Sequence, residues 1–424
     1  MNFISKHFKS DYSKNVLTLI TGTTIAQAIP IAITPILTRL YTPNDFGVFA
    51  LFLAITAITG AVSNAQYEHA IVLPKDDEDA YNLVFLGIIF SILLSLILLI
   101  VIVLFSDAIT EYIQNTEIKP FLFLIPISTL LVGVFNSFNY FNIRKNKFKN
   151  IAKSQVTRSS SLVVSQILIG LLVLGPIGLI FGQILSYFTG NMILFKTLKK
   201  NYKSGYLSKD KIKFQAIKYK NFPLFSMPSV FLNSINLNIV NFLISSLFSI
   251  SALGFYSLTH RIIGVPAKII GSSISQVYLK QASDDLNNKK STKNVFLNTL
   301  KKLTIICIPT FFILFFIVEH VFAFVFGEEW RVSGLYARIL IPLAAVRFVS
   351  STLSVSLIIH QKQKILLLFN ISLFVSIIFV FLISKINSFD IETFFMFYTF
   401  LVSIIYLVLL LVNWNVSTKK INQV

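Results

Sequence analysis

The sequence is short of charged residues and has almost no cysteine. Charged side chains make up 13% of the 424 residues, whereas hydrophobic residues make up 55%. A soluble domain carries about a quarter charged residues. This composition therefore excludes an ordinary soluble protein and predicts an integral membrane protein. The single cysteine, Cys307, excludes a disulfide framework and a multi-cysteine metal site.

Acidic residues are scarcer than basic ones, with 18 Asp and Glu against 37 Lys and Arg. In a soluble protein this excess would indicate a nucleic-acid partner. Here the cations lie mainly between apolar runs, which indicates orientation in the membrane and contact with anionic membrane lipids. The sequence also lacks a phosphate-binding P-loop, a His-Glu-x-x-His motif and a Ser/His/Asp set. We therefore expect no nucleic acid, metal or cofactor, and a transporter in place of an enzyme.

Twelve apolar runs are long enough to cross about 30 Å of hydrocarbon, which predicts an all-α integral membrane protein. They fall at about 16–38, 46–66, 83–105, 120–141, 152–174, 177–195, 222–246, 253–278, 303–325, 337–359, 365–383 and 393–412. Six lie on each side of the polar segment 196–220. The predicted domains are an N-terminal lobe over residues 1–205 and a C-terminal lobe over residues 206–424.

The loops between the apolar runs alternate in charge. If the N-terminus is cytoplasmic, the inner loops hold most of the lysines, nine of them between Lys196 and Lys220. The outer loops then hold only Arg39, Lys119, Arg331, Arg338 and Lys385. The positive-inside rule therefore places both termini in the cytoplasm. The acidic inner loop at 75–79 is discordant, but acidic residues count little in that rule.

A twelve-residue pattern recurs in the chain at a spacing of 207 residues. Residues 40–51 match residues 247–258 in residue type at most positions, and Gly47 aligns with Gly254. Because each predicted half has an even number of spans, both halves enter the bilayer in the same sense, as a parallel duplication. Duplicated halves in a membrane protein are typical of transporters with the substrate site between them.

Several cations lie inside the predicted spans. Arg261 and Lys268 are seven residues apart in the eighth span, a spacing that puts both on one helical face. Arg347 lies near the middle of the tenth span, and Arg158 lies in the fifth beside a serine cluster. Alternatively, the Arg158 side chain extends to the membrane surface. For Arg261, Lys268 and Arg347 the alternative is an ion pair inside the protein. Since deep acids are nearly absent, we expect a cavity for an anionic ligand such as phosphate, pyrophosphate or an acidic sugar.

The charges break the symmetry of the duplication. At the 207-residue offset Arg261 aligns with Ala54 and Lys268 with Ala61, while Glu68 and His69 in the first half align with uncharged residues. The Glu68–His69 pair could titrate and couple transport to protons, as could His260. The alternative is a Glu68 that is satisfied at a helix end. A proton or a sodium gradient stays open as the energy source.

Three segments resemble the polysaccharide flippases of bacteria, the Wzx-type O-antigen and capsule repeat-unit translocases of the MOP superfamily. They are residues 35–49, residues 66–77, and residues 253–258 together with Arg261 and Pro266. The resemblance implies two six-helix lobes around a cationic cavity. The implied cargo is an undecaprenyl-pyrophosphate-linked oligosaccharide, carried to the outer leaflet of the bacterial inner membrane by alternating access. It also implies a glycan polymerase and a chain-length regulator as partners.

Two other functions stay open at this point. An ion-coupled multidrug exporter of the same superfamily would bind cationic drugs through buried acids, which the first span here lacks. A membrane glycan polymerase or ligase would need a larger outer loop than this chain provides.

Overall fold

The structure is a computed structural model, and it describes residues 11–172, 175–203, 205–289 and 291–418. Throughout these ranges the regular secondary structure is helical and there is no strand. This confirms the predicted all-α class. In the described ranges, nine helical stretches are long and apolar enough to cross a membrane, so the protein is a multi-pass membrane protein.

The described residues contain fourteen helices of ten residues or more. They are α1 (Asp11–Leu40), α2 (Pro43–Ala61), α3 (Asp77–Ile113), α4 (Ile125–Arg144), α5 (Phe148–Leu172), α6 (Ile177–Asn201), α7 (Lys209–Lys218), α8 (Met227–Leu247), α9 (Ile250–Ile263), α10 (Ser272–Lys289), α11 (Lys293–Phe326), α12 (Arg331–Leu353), α13 (Gln363–Ile386) and α14 (Ile391–Thr418). Shorter elements connect them: 3₁₀ turns at Tyr67–Val72 and Glu328–Trp330, π-helical turns at Phe222–Ser226 and Ala267–Gly271, and short helices at Lys119–Leu122 and Val355–Ile359.

Nine of the twelve predicted spans coincide with these apolar stretches, and the first, fifth and eighth predicted spans are not among them. The first and the fifth predicted spans are the single helices α1 and α5, of 30 and 25 residues. The eighth predicted span, at about 253–278, is interrupted. The helix α9 ends at Ile263, a π-helical turn follows at Ala267–Gly271, and α10 begins at Ser272.

The described chain forms two compact units, which divide after Gly254. The seventh predicted span, α8, packs in the first unit against α2, where the Ser234 hydroxyl donates to the Ala57 carbonyl at 3.2 Å. The duplication predicts two lobes that divide between residues 205 and 206, and that division stays a prediction. An apolar core of the first unit contains the fully buried rings of Tyr81 and Phe141.

The two copies of the repeat pack against each other within the first unit. A Cβ placed on Gly47 would lie 1.9 Å from the Ile250 carbonyl oxygen, and one placed on Gly254 would lie 1.7 Å from the Pro43 carbonyl oxygen. Pro43 and Ile250 are themselves equivalent positions of the repeat. The contact is therefore reciprocal, and it explains why both copies need glycine at this position.

Two prolines lie inside α1, which nonetheless runs unbroken from Asp11 to Leu40. Pro30 has no N–H to donate to the carbonyl four residues earlier, that of Ala26. The Ser159 hydroxyl of α5 donates to this carbonyl at 2.6 Å. Beside it, Gly22 allows the backbone of α1 to approach Ala152 of α5. One member of the predicted serine cluster, Ser159, thus supplies the hydrogen bond that Pro30 cannot donate. The apolar environment of a membrane requires that such a carbonyl be satisfied by a neighbour.

The lysine-rich segment between the predicted lobes is a docked helix in addition to being a linker. The helix α7 packs against α3, and the Lys211 ammonium lies 2.6 Å from the Glu78 carboxylate. The Tyr67 hydroxyl donates to the Ala216 carbonyl at 3.0 Å, and the Asn82 side chain donates to the Tyr206 carbonyl at 2.8 Å. These contacts fix which face of α7 packs against the rest of the first unit.

Candidate substrate site

The second unit encloses a cavity of about 260 Å³. Its polar and aromatic lining comes from three helices: Tyr256 and His260 of α9, Arg347 and Ser351 of α12, and Tyr398 and Tyr406 of α14. The interruption after α9 also forms part of the wall, through Gly264 and Ala267. Irregular backbone at membrane depth is tolerated where it lines such a cavity.

Arg347 is the cation of this cavity. Its guanidinium carbon lies 5.9 Å from the centre of the Tyr406 ring. No acidic side chain of the described residues forms an ion pair with it. A guanidinium that is removed from bulk water without an acidic partner is costly. A cavity of this composition is therefore suited to an anionic ligand that would supply the missing charge.

The aromatic walls of the cavity are held by packing. Tyr256 and Tyr406 are only 7% and 8% exposed. The Tyr256 ring stacks on Phe395 with centroids 5.5 Å apart, and the Tyr406 ring meets Phe369 edge-on at 5.2 Å. The walls are thus fixed before a ligand binds. Flat aromatic faces next to a guanidinium can contact a sugar ring while the cation holds a phosphate or carboxylate.

The structure brings together only some of the residues predicted for this site. Arg347 and His260 line the cavity, and Ser351 lies with them, its hydroxyl donating to the Arg347 carbonyl at 2.5 Å. Arg261 is half-buried outside the lining, and no described side chain pairs with it. The expectation that Arg261 and Lys268 share one helical face stays a prediction; the structure shows that α9 ends at Ile263, between the two residues. The side chain of Lys268 lies outside the described residues.

Arg158 lies in the first unit and is held between two aromatic rings. Its guanidinium carbon is 4.4 Å from the centre of the Phe135 ring and 4.2 Å from that of Tyr187. Its stem packs on the backbone of Gly190, where a Cβ would lie 2.5 Å from the Arg158 Cγ. The buried Nε finds no hydrogen-bond acceptor among the described residues. Packing and cation–π contacts hold this cation inside the unit, and no acid among the unit's described residues forms an ion pair with it.

Glu68 and His69 lie in the 3₁₀ turn that follows α2. Glu68 is 4% exposed and its Oε2 has no hydrogen-bond partner in the described structure. Burial raises the pKa of Glu68 to about 7 and lowers the pKa of His69. The His69 ring packs edge-on against Tyr140 at 4.8 Å and stacks on Phe222 at 6.5 Å. The alternative interpretation, in which hydrogen bonds at a helix end satisfy the Glu68 carboxyl, does not account for the unpartnered Oε2.

Sequence reasoning missed the three tyrosines around Arg347. Tyr398 and Tyr406 are eight residues apart on one face of α14, a spacing that is visible in the sequence. Tyr256 lies in the second copy of the repeat. What the sequence could not show is that α9, α12 and α14 present these faces to a single cavity.

Comparison with known proteins agrees with this fold. The profile of the family described as "Polysaccharide biosynthesis protein" matches residues 36–335. The succinoglycan biosynthesis transport protein ExoT of Rhizobium meliloti (strain 1021) is 21% identical over 313 residues, which cover 72% of this chain and 61% of that relative. The chain therefore aligns with less than two thirds of this relative's length.

Solved structures show the same fold at low sequence identity. The lipid II flippase MurJ in an inward closed conformation has a TM-score of 0.72 at 14% identity, covering 94% of this chain and 86% of its own. An inward-facing multidrug resistance MATE family transporter of the MOP superfamily has a TM-score of 0.66 at 14% identity, covering 94% of each chain. A MOP superfamily transporter from Pyrococcus furiosus has a TM-score of 0.61 at 15% identity, covering 97% of each chain.

The chain belongs to the polysaccharide biosynthesis protein family, and its fold is that of the MOP superfamily. The resemblance to Wzx-type flippases is thereby confirmed. Its relative and its structural neighbours are transporters, which agrees with the prediction of a transporter in place of an enzyme.

Proposed function

We propose that this protein is a flippase for an undecaprenyl-pyrophosphate-linked oligosaccharide, which it moves from the inner to the outer leaflet by alternating access. The family and the succinoglycan-transport relative support a polysaccharide-related cargo. The observation that carries the proposal is Arg347, a guanidinium in an aromatic-walled cavity for which the described residues supply no acidic partner. A cationic drug would be repelled by this cavity, whereas a pyrophosphate or acidic sugar would be held.

Each cation has a place in this proposal. Arg347 binds a phosphate or carboxylate of the cargo while Tyr256, Tyr398 and Tyr406 contact its sugars. Arg158 acts in the first unit, where no acidic side chain of the described residues pairs with its guanidinium. Arg261 and Lys268 are further candidate contacts. Because guanidinium groups match phosphate and carboxylate geometry with two hydrogen bonds, Lys is expected to replace Arg347 only in part.

The proposed setting is the bacterial inner membrane with both termini in the cytoplasm. Glu68 is the proposed proton-coupling group, because a buried carboxyl with a pKa of about 7 changes charge near neutral pH. His69 and His260 are secondary candidates, and a sodium gradient is the alternative energy source. A glycan polymerase and a chain-length regulator are the proposed partners, since a flipped repeat unit must next be polymerised.

The test is complementation of a host that lacks its own repeat-unit flippase. The wild-type chain is expected to restore surface glycan, and Arg347→Gln is expected to lower that restoration tenfold or more at an equal protein level in the membrane. Arg338→Gln is the control on the same helix, since Arg338 stacks over Phe315 at 5.3 Å and lies 3.9 Å from the Glu319 carboxylate. Full activity of Arg347→Gln would contradict the role of the cavity. Drug resistance without a glycan phenotype would indicate a multidrug exporter.

A further inference from the structure

We propose that α7 and the aromatic pocket beside it form a binding surface for anionic glycerophospholipids of the bilayer. The surface consists of the outward face of α7 and a pocket of about 270 Å³ at the junction of α3, α6 and the segment that leads into α7. It lies wholly in the first unit and is separate from the Arg347 cavity. The inference does not depend on the proposed cargo.

The orientation of α7 is fixed by its inward face. Ile212, Ala216 and Tyr219 pack against the core of the first unit, and Gln215 between them is fully buried. The hydrogen bonds from Tyr67 and to Asn82, together with the Lys211–Glu78 ion pair, hold the helix in this rotation. The opposite face is therefore free to meet another surface.

That opposite face is apolar at its centre and basic at its edges. Phe214 and Ile217, three residues apart, are 60% and 59% exposed and lie side by side on the helix surface. At 100° per residue, Lys213 and Lys218 flank this pair on its two sides. Asp210, one turn earlier, is the single acidic residue on the face. Apolar residues between flanking lysines are typical of helices that lie in the headgroup region of a membrane.

The pocket next to α7 offers a place for an acyl chain. Its walls are almost entirely apolar and aromatic, formed by Tyr81, Phe85, Phe195, Leu198, Tyr202 and Leu207. Lys199 is the charged residue of its lining and is exposed. Phe195 and Tyr202 are each 45% exposed. A lipid whose chain occupied this pocket could place its phosphate near Lys199.

Charge favours an anionic lipid over a zwitterionic one. Residues 196–220 contain nine lysines and one acid, Asp210. A basic segment beside a membrane gains about 1 kcal/mol for each Lys near an anionic surface. An acidic protein could use the same charge. However, the apolar pair on α7 and the chain-sized pocket would both lie at a lipid surface, so the lipid is the occupant that we argue for.

The test uses the full chain in detergent, mixed with equimolar phosphatidylglycerol and phosphatidylcholine, and counts the retained lipids by native mass spectrometry. The wild type is expected to retain phosphatidylglycerol severalfold over phosphatidylcholine. Lys213→Gln/Lys218→Gln should lower the retained phosphatidylglycerol tenfold or more, since each lysine contributes up to about fivefold. Phe214→Ser/Ile217→Ser should lower the retention of both lipids.

Two matched variants separate a local site from general charge. Lys301→Gln/Lys302→Gln removes two exposed lysines in the third turn of α11, and it should leave the lipid count unchanged. Lys213→Arg/Lys218→Arg keeps the charge and should bind like the wild type, and an unchanged melting temperature of the glutamine variant excludes misfolding as the cause of its loss. Equal retention of the two lipids by the wild type, or equal losses in the 213/218 and 301/302 glutamine variants, would overturn the proposal. Neither outcome bears on glycan transport.

Discussion

Gly47 and Gly254, the same position in the two copies of the repeat, each lie against the backbone carbonyl of the other copy's equivalent residue. A Cβ at Gly47 would lie 1.9 Å from the Ile250 carbonyl oxygen, and a Cβ at Gly254 would lie 1.7 Å from the Pro43 carbonyl oxygen. Both distances are far shorter than a van der Waals contact. Because both obstructing atoms are backbone carbonyl oxygens, no side-chain rotation can relieve the contact. The duplication is thus present in the structure as a reciprocal pair of helix-start contacts.

Gly47→Ala and Gly254→Ala are each expected to destabilise the protein. In an unobstructed helix, Gly→Ala stabilises by about 1 kcal/mol. Here the added methyl group forces the backbones apart, which costs about 1–3 kcal/mol or more in a packed interior. The check is the melting temperature of the purified protein in detergent. A melting temperature equal to or above that of the wild type in both variants would contradict the close backbone contact.

Arg347→Gln is expected to reduce glycan translocation tenfold or more, because a hydrogen bond to a charged group contributes about 1.5–3 kcal/mol. Arg347→Lys should retain part of the activity, since it keeps the charge and loses the two-pronged geometry. The measurement is the initial rate of translocation per folded protein. Equal rates for the Gln and Lys variants would show that the charge at this position is irrelevant.

Arg158→Met is expected to leave the protein folded, with a melting temperature at or above the wild-type value. The Met side chain fills the space between Phe135 and Tyr187, and it removes a cation that pairs with no acid in the described part of the chain. Replacing buried charges by apolar groups of similar size is often stabilising by 1–4 kcal/mol. Glycan transport by the folded variant should nevertheless fall, because we assign Arg158 to the cargo.

Arg144→Met is the matched comparison and should behave in the opposite way. The Arg144 guanidinium lies 3.3 Å from the Asp77 carboxylate and donates to the carbonyls of Pro74 and Lys75 at 2.5 and 3.0 Å. Its loss should lower the melting temperature. A decrease for Arg158→Met with unchanged transport would make Arg158 a purely structural residue.

The stability contribution of Glu68 should depend on pH. Burial raises its pKa from 4.5 to about 7 in the folded protein, so the folded state binds this proton more tightly than the unfolded state does. Stability from this group is therefore fully present below about pH 4.5 and is lost as the pH rises toward 7. The lowered pKa of His69 acts in the opposite sense, so the wild-type curve alone does not isolate Glu68.

Glu68→Gln isolates the contribution of Glu68. The variant should match the wild type near pH 5 and be more stable at pH 8, by up to roughly 3 kcal/mol for a shift of this size. The measurement is the melting temperature of both proteins in detergent between pH 5 and pH 8. Glu329→Gln, at an exposed acid, should show no such growing difference. A constant difference between Glu68→Gln and the wild type across this range would exclude a raised pKa at Glu68.

Local pattern and hydropathy predicted the helical class, most of the spans and the equivalence of Gly47 and Gly254. Contacts between distant spans could not be predicted in this way. The partner of the Ala26 carbonyl that Pro30 leaves free is Ser159, 133 residues away. The tyrosines around Arg347 come from separate helices, and the break after Ile263 has only Gly264 and Pro266 as local signals. The sequence predicts only a charged linker before α8. This is because α7 contains more lysines than buried side chains, so its packing against the core leaves little hydrophobic signal.

The most direct test of the account is translocation by the purified protein in proteoliposomes. The probe is a polyprenyl-pyrophosphate oligosaccharide with a fluorophore on its sugar, and flipping is measured as the fraction that dithionite can quench from outside. The account predicts that the wild-type chain makes the inner-leaflet probe accessible and that Arg347→Gln slows this at least tenfold, with Arg338→Gln unchanged. A quenchable fraction no greater than in protein-free liposomes, under both proton and sodium gradients, would contradict it.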